Sequence, residues 1–271
     1  MLKINLLPSK KIFFASDFHL GAPDFDTSLQ REKKIIRWIE ENETQIGTLF
    51  LVGDIFDFWF EYKSAVPKGY TRLLGKIAHL TDKNIPVYFF TGNHDLWMFQ
   101  YFEKELGVKI FHTPQTFEIN QKTFHIGHGD GLGDGDYGYK WLKILFTSSV
   151  AQWLFGWLHP NLGVGLASYL SRRSRAKNLK KGVDNTFFGE KEWILEYCEK
   201  IELKQKHDFY IFGHRHLPID WTMKNQKSRY INLGEWFHYD SFATFDGENL
   251  VLEAFEKDVE IHTNFKKNAT I

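Results

Sequence analysis

The chain has 271 residues, enough for one α/β domain or two small ones around a substantial core. Its 34 lysines and arginines balance 34 aspartates and glutamates, so bulk charge gives no basis for a nucleic-acid binder, and an anionic partner must be met by a local patch. One cysteine, Cys198, excludes an internal disulfide and fits a reducing compartment; the opening MLKINLLPSKK is too short in apolar residues for a secretory signal, and the expected location is cytoplasmic.

Three strand–loop–helix units follow one another. The run KKIFFAS (10–16) reads as a strand ending at Asp17, and TSLQREKKIIRWIEEN (27–42) as an amphipathic helix capped by Thr27 or Ser28. TLFLV (48–52) is a buried strand ending at Gly53-Asp54, followed by a helix over 70–80. IPVYFFT (85–91) ends at Gly92-Asn93-His94-Asp95, and 96–106 is expected to be helical. Past Gly107 the pattern turns mainly to strands: VKIFH, QTFEIN, KTFHIGHGD, DFYIFGHRH and others to about Glu253. The one shift in composition is the segment 138–181, an insertion within an otherwise single domain spanning 1–271.

Each strand spills polar residues at its carboxyl end, where open α/β sheets place their sites. The set is Asp17 and His19 (D-x-H), Asp54 (G-D), Asn93 and His94 (G-N-H-D), His128 (G-H-G-D), and His214 and His216 (G-H-x-H). His214 and His216 alone are ambiguous, since residues two apart in a strand share a face and a surface pair beside a turn would look the same. Together with the others they form a mixed nitrogen and oxygen donor set without thiolate, suited to Mn²⁺, Fe²⁺ or Zn²⁺. With His94 not needed as a ligand, the seven remaining donors are too many for one tetrahedral ion and enough for two ions sharing a bridge, for which the two oxygens of Asp54 are the candidate.

In order and spacing these motifs resemble the calcineurin-like metallophosphoesterases, whose pattern D-x-H, G-D-x-x-D, G-N-H-[DE], G-H and G-H-x-H is matched from Asp17 to His216. The resemblance implies an α/β/β/α sandwich of two mixed sheets with a dinuclear metal centre. Asp17, His19, Asp54 and His216 would hold one ion, and Asp54, Asn93, His128 and His214 the other. It further implies that His94 is a catalytic residue oriented by Asp57, although a loop or cap role for Asp57 is also open. Because the imidazole donors must be neutral, activity is expected to fall below about pH 6.

The insertion bears on the substrate. Between Asp136 and Arg172 the only fixed charges are Lys140 and Lys143, and the stretch WLKILFTSSVAQWLFGWLHPNLGVGLASYL there is too short and too broken by Pro160 to span a membrane and reads as two short apolar helices over a greasy groove or at a membrane interface. It runs into RRSRAKNLKK (172–181), a basic run that is either a solvated face or a contact for phosphate and anionic lipid. This combination is similar to the UDP-2,3-diacylglucosamine hydrolases of lipid A synthesis. That likeness implies release of UMP from an acylated nucleotide sugar, Mn²⁺ as the usual ion, and a peripheral seat on the inner membrane, with no nucleic acid and no obligate protein partner. It also implies substrate contacts from Asn93, His94, Asp136, Ser174, Asn178, Lys181 and His214. Two residues depart from that pattern: His94 stands where arginine is usual, and Arg215 where threonine is common. The alternatives are a phosphodiesterase or phosphatase for soluble nucleotides and a metal-bound scaffold without activity. The aromatic run FDFWFEY (56–62) is either a wall for substrate or simple packing.

Overall fold

The computed structural model describes residues 1–133, 137–181 and 186–265, with backbone alone for several helical residues between 137 and 181. The strands are β1 (Leu2–Ile4), β2 (Lys11–Ala15), β3 (Ile46–Val52), β4 (Val87–Phe90), β5 (Lys109–Phe111), β6 (Gln115–Ile119), β7 (Lys122–Ile126), β8 (Phe209–Phe212), β9 (Pro218–Thr222), β10 (Arg229–Leu233), β11 (Ser241–Phe245), β12 (Leu250–Ala254) and β13 (His262–Thr263). The helices are α1 (Phe25–Asn42), α2 (Thr71–Asp82), α3 (Tyr101–Leu106), α4 (Tyr137–Thr147), α5 (Ser149–Gly156), α6 (Pro160–Lys181) and α7 (Trp193–Glu202).

Two mixed sheets result. One has the order β12-β11-β2-β3-β4-β5, in which β2 to β5 are parallel; the other has the order β1-β6-β7-β8-β10-β9-β13. Alternation along each strand sorts side chains into layers, and β2 shows how. Phe13 packs outward with Trp38 and Ile39 of α1, while Phe14 packs inward with Phe50, Phe124 and Phe245 from both sheets. A third cluster joins β8, β9 and β10 to Ile194, Leu195 and Cys198 of α7. Helices, sheet, sheet and helix therefore form the four-layer sandwich that the family resemblance implies. Much of the aromatic excess sits between the sheets, where Phe14 stacks on Phe50 at 5.0 Å and Phe50 meets Phe117 edge-on at 5.1 Å.

Several boundaries differ from the sequence reading. Helix α1 begins two residues earlier than read, because Asp24 is the cap: its carboxylate accepts from the backbone N–H and the hydroxyl of Thr27, both at 2.9 Å. Helix α3 is five residues shorter than the expected 96–106. Trp97 instead bridges to Phe60 in extended form, and its carbonyl accepts from Glu61 N–H. The insertion holds three helices and not two, since Pro160 opens α6 at a position where a missing N–H costs nothing. Beyond Glu256, a stretch that carried no sequence signal, β13 adds to the edge of the seven-stranded sheet. Among the described residues no helix is long and apolar enough to cross a membrane.

Candidate metal centre

The carboxyl ends of β2, β3 and β4 from one sheet and of β7 and β8 from the other converge on one point. There the structure assembles three overlapping groups of donor atoms: Asp17, His19 and His216; Asp54, His128 and His214; and His19, Asp54 and His94. Asp54 belongs to two of them. Its Oδ2 lies 3.2 Å from His128 Nε2 and 3.8 Å from His19 Nε2, while His216 Nε2 lies 3.1 Å from His19 Nε2 and 3.3 Å from Asp17 Oδ1. Donors held at about 2.1 Å from one ion stand about 3.0–3.4 Å apart, so this spacing fits the edges of coordination shells.

The donors also fit chemically. Asn93 Oδ1 is buried without a hydrogen-bond partner, a costly condition that cation binding removes, while Asp17 Oδ1 and His128 Nε2 are buried with only other members of the donor cluster beside them. Burial disfavours charge on Asp54 and Asp17, yet the surrounding imidazoles hold both carboxyls well below the usual range. Burial likewise opposes charge on His128, but the Asp54 carboxylate wins and pushes that imidazole up to about 10. His214, buried beside His128, falls to about 4. A proton on His128 thus balances a cluster built to hold positive charge.

The backbone reaches this geometry under constraint. Asp17, His19, Asp54, His214 and His216 all adopt left-handed φ values, between 43° and 71°. His214 and His216 follow β8 and do not lie in it, so their convergence comes from two successive left-handed turns and not from the pleat. Each then joins a different donor group. Hydrogen bonds pin the turns: Asp17 N–H to Gly53 O at 3.0 Å, His19 N–H to Asp54 O at 2.9 Å, and His214 N–H to Asp17 Oδ2 at 3.0 Å. The motif glycines are required by close approach. A Cβ on Gly53 (φ +84°) would fall 2.5 Å from His128 Nδ1, and one on Gly92 would collide with the Asp54 carboxylate.

Sequence reasoning passed over three supporting residues. Asp95, fully buried, accepts from the backbone N–H of Gly92 at 2.7 Å and of Ile55 at 2.8 Å, with Asp54 and Phe56 farther off. It ties the second and third motif loops together, and burial with the nearby Asp54 charge raises its carboxyl to about 7. Arg31 of α1 donates to the carbonyl oxygens of Phe18 (2.7 Å), His19 (2.8 Å) and Ala22, and lies over the Phe237 ring, which itself faces His19. Asp130, two residues past His128, accepts from Tyr139 Oη and Lys143 Nζ, each at 2.6 Å, and so roots α4 beside the centre. A buried acidic residue inside a motif was the available signal for Asp95 and Asp130; Arg31 offered none.

His94 is 4.9 Å, ring to ring, from His19. Its Nδ1 lies 2.9 Å from the backbone oxygen of Asp57, whereas the Asp57 carboxylate stands 3.7 Å from both His94 and His19. Arg215 turns away from the centre, buried in a two-pronged pair with Glu192, so its departure from threonine does not touch the site. Of FDFWFEY, Phe56 and Trp59 are core, while Phe58, Phe60 and Tyr62 form with Trp97 a socket around Phe155 of α5. Asp136 lies outside the described residues, as do the side chains of Ser174, Asn178 and Lys181, although α6 carries the last three.

The fold and this donor cluster define a metal-dependent phosphoester hydrolase, and a model of the calcineurin-like phosphoesterases matches residues 10–218: the chain belongs to that family. Within it, the chain is 38% identical over 257 residues to a UDP-2,3-diacylglucosamine hydrolase of Porphyromonas gingivalis, covering 91% of this chain and 98% of that one. A protein of the same name from Shewanella piezotolerans is 24% identical over 242 residues, covering 89% and 97%. Among solved structures, an archaeal phosphodiesterase aligns with a TM-score of 0.45 at 14% identity, covering 89% of this chain and 99% of that one.

Proposed function

We propose that this protein hydrolyses the pyrophosphate of UDP-2,3-diacylglucosamine to UMP and 2,3-diacylglucosamine 1-phosphate at a pair of divalent cations, with α4 to α6 as a lid over the acyl chains. The observation that carries the two-cation reading is the membership of Asp54 in two donor groups. Asp17, His19, Asp54 and His216 would hold one cation, and Asp54, Asn93, His128 and His214 the other, with Mn²⁺ proposed as the ion. When bound, such a pair supplies Lewis acidity at the phosphoryl oxygens and a water made nucleophilic near neutral pH.

The chain's own residues place the reactants. The backbone oxygen of Asp57 can only accept, so the proton between it and His94 sits on Nδ1, and any proton given to the leaving oxygen departs from Nε2. Helices α4 and α5 place Phe146 and Phe155 on the body of the protein, with Trp97 Nε1 donating to Phe146 O at 2.7 Å. Their other face is apolar and open: Trp141, Ile144, Trp153 and Trp157 are each more than 60% exposed. That surface supports a peripheral seat on the inner membrane, where an acylated nucleotide sugar resides. The substrate contacts from Asp136, Ser174, Asn178 and Lys181 are part of this proposal.

The test is a product assay with Mn²⁺ present, in which mass spectrometry follows UDP-2,3-diacylglucosamine in detergent beside UDP-glucose and a soluble nucleotide phosphodiester. UMP released from the acylated compound alone is the expected result. Turnover of the soluble esters alone would favour the second reading, a soluble nucleotide phosphodiesterase, for which the specific observation is a histidine at position 94.

A further inference from the structure

Helix α6 is more than a cover. Among its described side chains Leu166, Tyr169 and Leu170 face outward, each at least half exposed, but Ser171 turns inward and is half-buried. Its Oγ lies 3.2 Å from His94 Nδ1, the nitrogen that also faces the Asp57 backbone oxygen at 2.9 Å. One acceptor fixes which nitrogen carries the proton and leaves the ring able to tilt about its own axis. A second oxygen on the same N–H restricts that tilt, because the shared hydrogen must lie between the two acceptors. The edge-on contact with His19, at 87° between ring planes, sets the remaining direction.

We propose that Ser171 is a positioning residue: seating α6 brings its hydroxyl onto His94 Nδ1 and holds the ring in the orientation from which Nε2 serves the leaving oxygen. The helix that would cover the acyl chains then also completes the catalytic histidine, so that lid closure and chemistry are coupled through one hydrogen bond. This rests on the proposed role of His94 and of the lid. It assigns to a helix residue outside the five motifs a function in the reaction.

The experiment is a double-mutant cycle in full-length, Mn²⁺-loaded protein with Ser171→Ala, His94→Ala and the pair. Substrates are UDP-2,3-diacylglucosamine in detergent and the phenyl ester of UMP, a soluble diester with a poor leaving group. Ser171→Ala should lower kcat about 3–10-fold with KM little changed, in keeping with loss of one hydrogen bond, and should cost nothing further in the His94→Ala background. Ser171→Thr, which keeps the hydroxyl, should restore most of the rate. Independently, long-range proton–nitrogen spectra of the Zn²⁺-loaded protein should show His94 protonated at Nδ1, with that signal shifted and broadened in Ser171→Ala. An equal loss in both backgrounds, a change in KM alone, or an unaltered His94 signal would overturn the assignment. If only the UMP ester is turned over, the substrate reading fails while the cycle on that ester still decides the role of Ser171.

Discussion

Asp54 concentrates the chemistry of this protein in one side chain. Its Oδ2 faces His128 and its Oδ1 accepts from the backbone N–H of His94 at 2.8 Å, so it organises the donors and the loop that carries Asn93 and His94 at once. Asp54→Asn should therefore reduce bound Mn²⁺ from two ions to one or none and abolish turnover, read by metal analysis after gel filtration beside activity. Asp95→Asn should act more gently: an amide in place of an acceptor for several N–H groups should lower metal affinity about 10–100-fold while the fold persists. The proton on His128 gives a third expectation. Its pKa is raised from 6.5 to about 10, so at neutral pH an incoming cation must displace that proton. Binding should release a proton, and affinity should rise with pH up to about 10; calorimetry in buffers of different ionisation enthalpy measures both. The sign agrees with the expected fall of activity below about pH 6.

Among the elements, the strands were the legible part. Alternating or continuous apolar runs marked β2, ended by Asp17, and β3, β4, β7 and β8, ended by glycine, and the motif residues at their ends sit where the strands deliver them. Helix α3 was overread because Leu96 to Gln100 look apolar and periodic, whereas Trp97 is held by Phe60, Phe146 and Phe155, partners that sequence spacing cannot reveal. FDFWFEY divided in the same way, part core and part socket for α5. Phe155→Ala should therefore loosen α5 and leave the sandwich intact. Losing its aromatic contacts, worth about 0.5–1.5 kcal/mol each, should make amide exchange in α5 faster by about tenfold or more, with the main melting transition little moved.

At the scale of the molecule, a body of two sheets carries a helical segment whose outer face is apolar. Trp141 of α4, Trp153 of α5 and Trp157 just past it stand in solvent, and α4 is rooted through Lys143 and Tyr139 to Asp130, beside the donor cluster. Replacing Trp153 and Trp157 with serine should weaken sedimentation with anionic vesicles about tenfold or more and spare hydrolysis of a soluble diester. Composition, strand runs and five ordered motifs pointed by themselves to the family, through it to the sandwich, and to the candidate donors at the strand ends, because ligand chemistry tolerates little substitution and strand ends are local. Tertiary structure alone decided that left-handed turns, and not pleat, converge the histidines, and that Arg215 is buried away from the site. It also decided that Asp95 and Arg31 brace the loops and that Ser171 reaches His94. Each of these depends on which distant segment lies opposite, a matter of packing between layers that no local pattern encodes.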